Sequence, residues 1–304
     1  MEQYSEMQLH SFAGWGDRDG DEGLKRCWLH DHDRAGQVWQ DGVQQCCLCS
    51  RATVFTLAAG ADPIAFDTRE QILCTECRLS ARVRAAFGLA NRELRGRNGA
   101  SAYLTEQASL AFSWAQRHLP ARVHGSEFES DEKARRRLSG YLRDIGGWGD
   151  IDFQDVTRLS HSDAQFDVVI SMDVLEHVRD YIKAIREFAR VLKPGGALVA
   201  TFPFNDRPST LIRARLSDGV IEHLMEPEFH GDPLGAGILC WYHFGWDVLD
   251  VCRNAGFKDA RMVMPWSPAA ELRYGLWTLV AHRWGRLPRA NAGAWLGEEG
   301  PTER

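Results

Sequence analysis

The chain of 304 residues has no long apolar run, no basic leader and no excess of positive charge. Its longest apolar stretches, such as Phe166–Val169 and Gly196–Val199, fall far short of the roughly 20 residues a membrane-spanning helix needs. The segment Met1–Gly20 is polar and acidic, without the charged start and apolar centre of a secretory signal. Lys and Arg total 36 against 42 Asp and Glu, a net charge of −6. That balance gives the whole chain no electrostatic claim on a phosphate backbone or an anionic membrane. No internal repeat is visible. A cytoplasmic protein without membrane contact is expected, with nucleic acid disfavoured as a partner. Composition is otherwise globular, and the length suits one large domain or two ordinary ones.

Eight cysteines are many for a reducing compartment, where disulfides are rare. Four fall into two C-x-x-C pairs, Cys46 with Cys49 and Cys74 with Cys77. Two such turns supply the four thiolates that a structural zinc prefers, each sulfur about 2.3 Å from the ion. The 24 residues between the pairs fit a long hairpin. Cys47 competes with Cys46, but Cys46 restores the C-x-x-C register. A zinc ribbon with Cys46, Cys49, Cys74 and Cys77 as ligands is therefore expected. Before it, residues 1–38 lack periodicity and read as a flexible arm.

The ribbon and a connecting helix are assigned to residues 39–98. In Arg78–Leu94 the apolar residues Leu79, Val83, Ala86, Phe87 and Ala90 share one face. Arg78, Arg82, Arg84 and Arg92 fall largely elsewhere and read as a solvated face. From about residue 99 to 285, short strands alternate with amphipathic helices, the pattern of an α/β sheet domain. Candidate strands are 101–106, 122–126, 151–154, 166–171, 197–202, 259–264 and 276–282. The run Phe166–Ser171 is apolar enough to be buried on both faces. The helix over 180–192 stops at Lys193-Pro194-Gly195-Gly196. A lid insertion is expected at about 205–245 and a flexible tail at 286–304.

The segment FDVVISMDVLEHVRDYIKAIREFARVLKPGGALVATFPF, residues 166–204, resembles class I S-adenosylmethionine-dependent methyltransferases of type 11. The resemblance rests on the apolar strand, the D-V-L-E-H-V junction, the R-V-L-K-P-G-G stop and the T-x-P-F exit. It implies a doubly wound, seven-stranded, mostly parallel Rossmann-like sheet and S-adenosylmethionine as cofactor. By family register Glu127 is placed at the ribose diol, where both hydroxyls donate to one carboxylate. Asp155 and the backbone and side chain of Val156 are placed at the adenine. Ser171, Met172 and Asp173 are placed near the methionine half.

One departure is marked. Where the family carries a glycine-rich turn after its first strand, this chain reads Tyr103-Leu104-Thr105-Glu106-Gln107-Ala108-Ser109. Either Thr105, Glu106 and Gln107 form a substitute turn at the cofactor, or cofactor binding is weakened or lost. The chain is similar to a methyltransferase subgroup with a T-E-Q turn, a later G-S-E and an N-terminal cysteine ribbon. Members of that subgroup look like tailoring enzymes for glycans or secondary metabolites, which favours the substitute turn.

An activated methyl donor leaves the protein mainly to position the acceptor, and a hydroxyl acceptor benefits from a general base such as histidine. His177 opens the helix after the fourth strand, while His230 and His243 lie in or beside the lid. Two histidines with Asp232 or Glu228 form a conceivable metal site, though mutual satisfaction of loop polar groups is the plainer account. The leading expectation is O-methylation of a small-molecule or glycan acceptor. An RNA or protein methyltransferase docked through the ribbon is one alternative, motivated by Arg78, Arg82, Arg84, Arg92, Arg95 and Arg97. A cofactor-binding protein with non-methylating chemistry such as cyclisation, or with no catalysis, is the other.

Overall fold

A computed structural model describes residues 5–16, 22–33, 42–231 and 237–285. Asp232 and the expected 286–304 tail lie outside the described residues. The sheet contains β1 (Ser5–Leu9), β4 (Ser101–Leu104), β5 (Arg122–Gly125), β6 (Phe166–Met172), β7 (Leu192–Thr201), β8 (Phe257–Trp266) and β9 (Thr278–Arg283). Their spatial order is β1-β8-β9-β7-β6-β4-β5. Pairings β5/β4, β4/β6 and β6/β7 are parallel, whereas β7/β9, β9/β8 and β8/β1 are antiparallel. The fold is a seven-stranded mixed α/β sheet with helices on both faces.

Every residue of β6 is buried, as its predominantly apolar sequence befits in a central parallel strand, with Asp167 held by Lys193 and the Ser101 amide. After it, α5 (Tyr181–Val191) is capped by the Asp180 carboxylate, which accepts the Lys183 amide at 3.1 Å. It buries Ala184, Ile185, Phe188, Ala189 and Val191 against the sheet. At Gly196 a Cβ would sit 2.9 Å from the carbonyls of Asp167 and Lys193, so the P-G-G stop lets β7 enter hard against β6. Together with α6 (Val248–Asn254), α5 covers one face of the sheet. Helices α2 (Ala81–Leu94), α3 (Leu110–His118) and α4 (Glu132–Asp144) cover the other.

Three sequence expectations change. The expected third strand, 151–154, makes only one ladder bridge, Glu127 to Phe153. The seventh place is taken at the opposite edge by Ser5–Leu9, inside the segment read as a flexible arm. That segment also contributes α1 (Glu22–Asp33), and Trp15, Leu24 and Cys27 are buried in the sheet core. The third change concerns the α2 arginines. Arg84 is fully buried, donating to the carbonyls of Ala270 at 2.5 Å and Glu271 at 3.2 Å beneath the Phe55 ring. Arg82 is likewise enclosed, and Arg92 pairs with Glu6 of β1. Buried guanidinium groups survive because each finds acceptors, so charge alone did not mark the solvent side of α2.

Residues 205–245 form short antiparallel pairs, 211–212 with 242–243, 214–217 with 220–223, and 229–230 with 238–239. These fold over the carboxyl ends of β6 and β7, the edge at which α/β sheets bind ligands. Gly125 at the end of β5 admits the turn after β4. A Cβ there would lie 2.3 Å from the Phe112 ring and 2.9 Å from the Glu106 carbonyl. Gly125→Ala is accordingly expected to destabilise the protein by about 1–3 kcal/mol, read from the midpoint of urea unfolding.

Candidate active site and metal centre

The cysteine unit is built from β2 (Phe55–Leu57) paired with β3 (Ile72–Cys74), next to a small ladder of 44–45 with 52–53. Turns after each ladder bring Cys46, Cys49, Cys74 and Cys77 together, with all four sulfurs within 4.8 Å of one another. Cys49 and Cys74 are 4.0 Å apart at sulfur, close to the edge of a tetrahedron with metal–sulfur bonds of about 2.3 Å. Cys47 is exposed and stands outside the set. The Cys74 sulfur also meets the Cys77 amide at 3.5 Å and the Thr53 hydroxyl at 3.3 Å. Hydrogen bonds from Cys47, Cys74 and Cys77 lower the Cys46 thiol strongly, whereas burial pushes Cys49 up to about 11. Cys77 is raised by its contacts with Cys46 and Cys74. Thiols this close ionise together only around a cation, and four soft donors in this arrangement fit zinc.

At the carboxyl edge, the glycine-free turn after β4 is held by its neighbours. Glu127 accepts the amides of Gln107 at 2.7 Å and Ala108 at 2.6 Å. The Gln107 side chain is used at both ends, donating to the Asp150 carbonyl and accepting the Asp152 amide, each at 2.8 Å. Thr105 donates to Ser171 at 3.2 Å, and both side chains are buried. Met172 is buried in the core as well. Asp155 closes its own turn by accepting the Thr157 amide and hydroxyl at 2.8 Å, with Val156 packed on the core beside it. Burial pushes the Glu106 carboxyl up to about 7, against the pull of nearby Arg82. Thus Glu127, Asp155, Glu106 and Asp173 border the edge, while Gln107, Thr105, Ser171 and Met172 brace it. Phe128, 78% exposed, stands over this stretch with its ring 5.8 Å from that of Phe153.

The three histidines form a second cluster around a residue the sequence reading passed over. Glu176 is fully buried, and neither carboxylate oxygen has a hydrogen-bond partner. His230 Nδ1 lies 3.5 Å and His177 Nε2 3.8 Å from Glu176 Oε1, with the two rings 4.8 Å apart. On its other side His230 Nε2 contacts Glu228 at 2.9 Å, and His243 Nε2 reaches the same carboxylate at 3.1 Å. Arg213 pairs with Glu228 at 3.0 Å. Burial raises the Glu176 carboxyl. Contact with Glu176, then with Glu228, raises His230 to about 9, so it is cationic at neutral pH. His177 Nδ1 lies 2.9 Å from the Leu239 carbonyl, an obligate acceptor, so Nδ1 is the nitrogen that donates there. Glu176 with His177 and His230, and Glu228 with Cys240 and His243, are also spaced as metal donors, each set within 4.8 Å. Glu176 sits inside D-V-L-E-H-V, where the signal was present but reads as the acidic start of a helix.

The strand order and the helices on both faces define a mixed α/β domain. Residues 107–200 match a protein family described as Methyltransferase domain. Arsenite methyltransferase of Aquipseudomonas alcaligenes is 34% identical over 110 residues, covering 36% of this chain and 28% of that protein. The 27-O-demethylrifamycin SV methyltransferase of Amycolatopsis mediterranei is 34% identical over 76 residues, 25% of this chain and 28% of that one. The chain thus spans under a third of the length of either relative. A solved S-adenosylmethionine-dependent methyltransferase from Mesorhizobium loti shares 17% identity at a TM-score of 0.41, covering 65% of this chain and 98% of that one. No helix among the described residues is long and apolar enough to cross a membrane.

Two outcomes are expected from these geometries. Cys77→Ser lowers bound zinc, measured by plasma mass spectrometry of the purified protein, and reduces thermal stability. For His230, the folded value of about 9 exceeds the ordinary 6.5. Its contribution is therefore complete below about pH 6.5 and disappears as pH rises through about 9. We expect about 1–2 kcal/mol of stability to be lost across that window. In His230→Asn the corresponding slope in urea unfolding is absent.

Proposed function

We propose that the chain is an S-adenosylmethionine-dependent methyltransferase that methylates a hydroxyl of a small-molecule or glycan acceptor. The observation that carries this reading is the meeting, at one sheet edge, of the carboxylates Glu127, Asp155 and Asp173 with the Glu176–His177–His230 cluster. When bound, S-adenosylmethionine supplies a methyl group already activated on its sulfonium. Glu127 and Asp155 are the acceptors offered to the ribose and the adenine. Phe128 and Val156 provide the apolar surface that an adenine ring favours.

His177 is the general base, taking the acceptor hydroxyl proton at Nε2, because its other nitrogen is committed to the Leu239 carbonyl. Glu176 stabilises the imidazolium that results. His230 is held cationic and orders Glu176 and Glu228, and the His243–Glu228 pair frames the acceptor side. The cysteine set holds a structural zinc. Of the arginines that motivate a ribbon docked on RNA, Arg82, Arg84, Arg92 and Arg97 are engaged within the fold, whereas Arg78 and Arg95 are exposed.

Calorimetry with S-adenosylmethionine tests the reading. The wild-type protein is expected to bind, and Glu127→Ala to bind more weakly by about 1–3 kcal/mol. Absence of wild-type binding at cofactor concentrations near millimolar overturns it.

A further inference from the structure

The cysteine unit does more than sit beside the sheet, because two of its side chains reach the sheet's carboxyl edge. Arg69 lies just before β3, the strand that ends on Cys74, and Arg82 lies just after Cys77. Their backbones are joined, the Arg82 amide donating to the Arg69 carbonyl at 3.0 Å. Asp67 fixes the Arg69 turn by accepting its amide at 2.7 Å. From this base Arg69 places one guanidinium nitrogen 3.2 and 3.4 Å from the two oxygens of Asp173. Arg82 approaches Asp173 Oδ2 at 3.4 Å, donates to the Thr201 hydroxyl at 3.1 Å, and turns the rest of its fork to Glu70. Thr201 in turn donates to Asp173 Oδ1 at 2.8 Å.

The residue they hold is unusual. Asp173 ends β6 with φ of 51°, a left-handed conformation that survives only where surrounding contacts enforce it. Its carboxylate would be raised by burial, yet Arg82 and then Arg69 keep it below the ordinary range. The two guanidinium groups meet three carboxyl groups, Asp173, Glu70 and Glu106. Such a cluster does not recruit an anion. It presents a fixed, negative Asp173 to a cation.

We propose that Arg69 and Arg82 are positioning residues by which the metal-binding unit completes the cofactor site, fixing Asp173 toward the cationic amino-acid end of S-adenosylmethionine. Metal loading and cofactor affinity are then linked, each strengthening the other. The inference rests on the cofactor reading above and goes further, since that reading gives the zinc only a structural task.

The test uses the full-length, zinc-loaded protein and two probes, S-adenosylhomocysteine and 5′-methylthioadenosine. The second keeps the nucleoside but lacks the amino-acid end. Arg69→Met is expected to retain its zinc and melting temperature, to bind S-adenosylhomocysteine about 10-fold more weakly, and to bind methylthioadenosine nearly as before. Arg69→Lys should recover most of the affinity, because Asp173 is met by a single nitrogen. In the wild type, S-adenosylhomocysteine should slow zinc transfer to a chelator more than methylthioadenosine does. Equal affinity of Arg69→Met and wild type for S-adenosylhomocysteine, equal losses for both probes, or zinc transfer indifferent to either probe overturns the proposal. A wild type that binds neither probe overturns the cofactor reading itself.

Discussion

Helix α2 is buried on two sides, and that burial joins the parts of the molecule. Its Phe87, Ala90 and Leu94 pack into the sheet core, while Ala81 and Ala85 enter the small core around the cysteines. Between these faces runs Arg84, fully buried and anchored on the carbonyls of Ala270 and Glu271. A guanidinium whose two terminal nitrogens meet carbonyls costs far less to bury than one left bare, so the helix tolerates a charge where an apolar residue would be ordinary. The cysteine unit is thereby fixed against the edge where Glu106 and Asp173 lie. Without that fixed placement, Arg69 and Arg82 would have no defined relation to Asp173.

Electrostatics at the edge divides into two linked groups. One is the arginine-held Asp173, and the other is the Glu176–His230–Glu228–His243 chain. His230 adds to the field that keeps Asp173 ionised, so the groups are neighbours. In each, a carboxylate buried by the fold is stabilised by a cation brought from elsewhere in the sequence. Burial strengthens these pairings, but removing one partner leaves an uncompensated charge. Arg213, Glu228, His230 and His243 therefore contribute to the order of the edge.

The central elements were legible because β6 and α5 follow simple patterns, predominantly apolar in one and apolar at helical spacing in the other. The cysteine set was legible because C-x-x-C spacing is itself a geometric statement. Other features escaped for physical reasons. Ser5–Leu9 is short and partly polar, and its pairing partner lies at the far end of the sequence, so no local signal marks it as a strand. The segment 151–154 looks strand-like, but a single bridge and the Gln107 side chain hold it instead. Arg69 carried no motif at all. Its role depends on a turn fixed by Asp67 and on the distant Asp173, a relation that only the folded chain displays.

The edge strand β1 also bears on how the molecule forms. Ribosomes deliver Ser5–Leu9 long before its partner Met262–Trp266, which lies far along the sequence. Ser5–Leu9 must therefore wait for β8, while the parallel centre of the sheet can assemble from segments closer in sequence. Contacts of such separation close slowly because they carry the largest loop entropy. Return of Ser5–Leu9 to β8 covers an otherwise open sheet edge, the kind of edge on which unfinished α/β domains pair with one another.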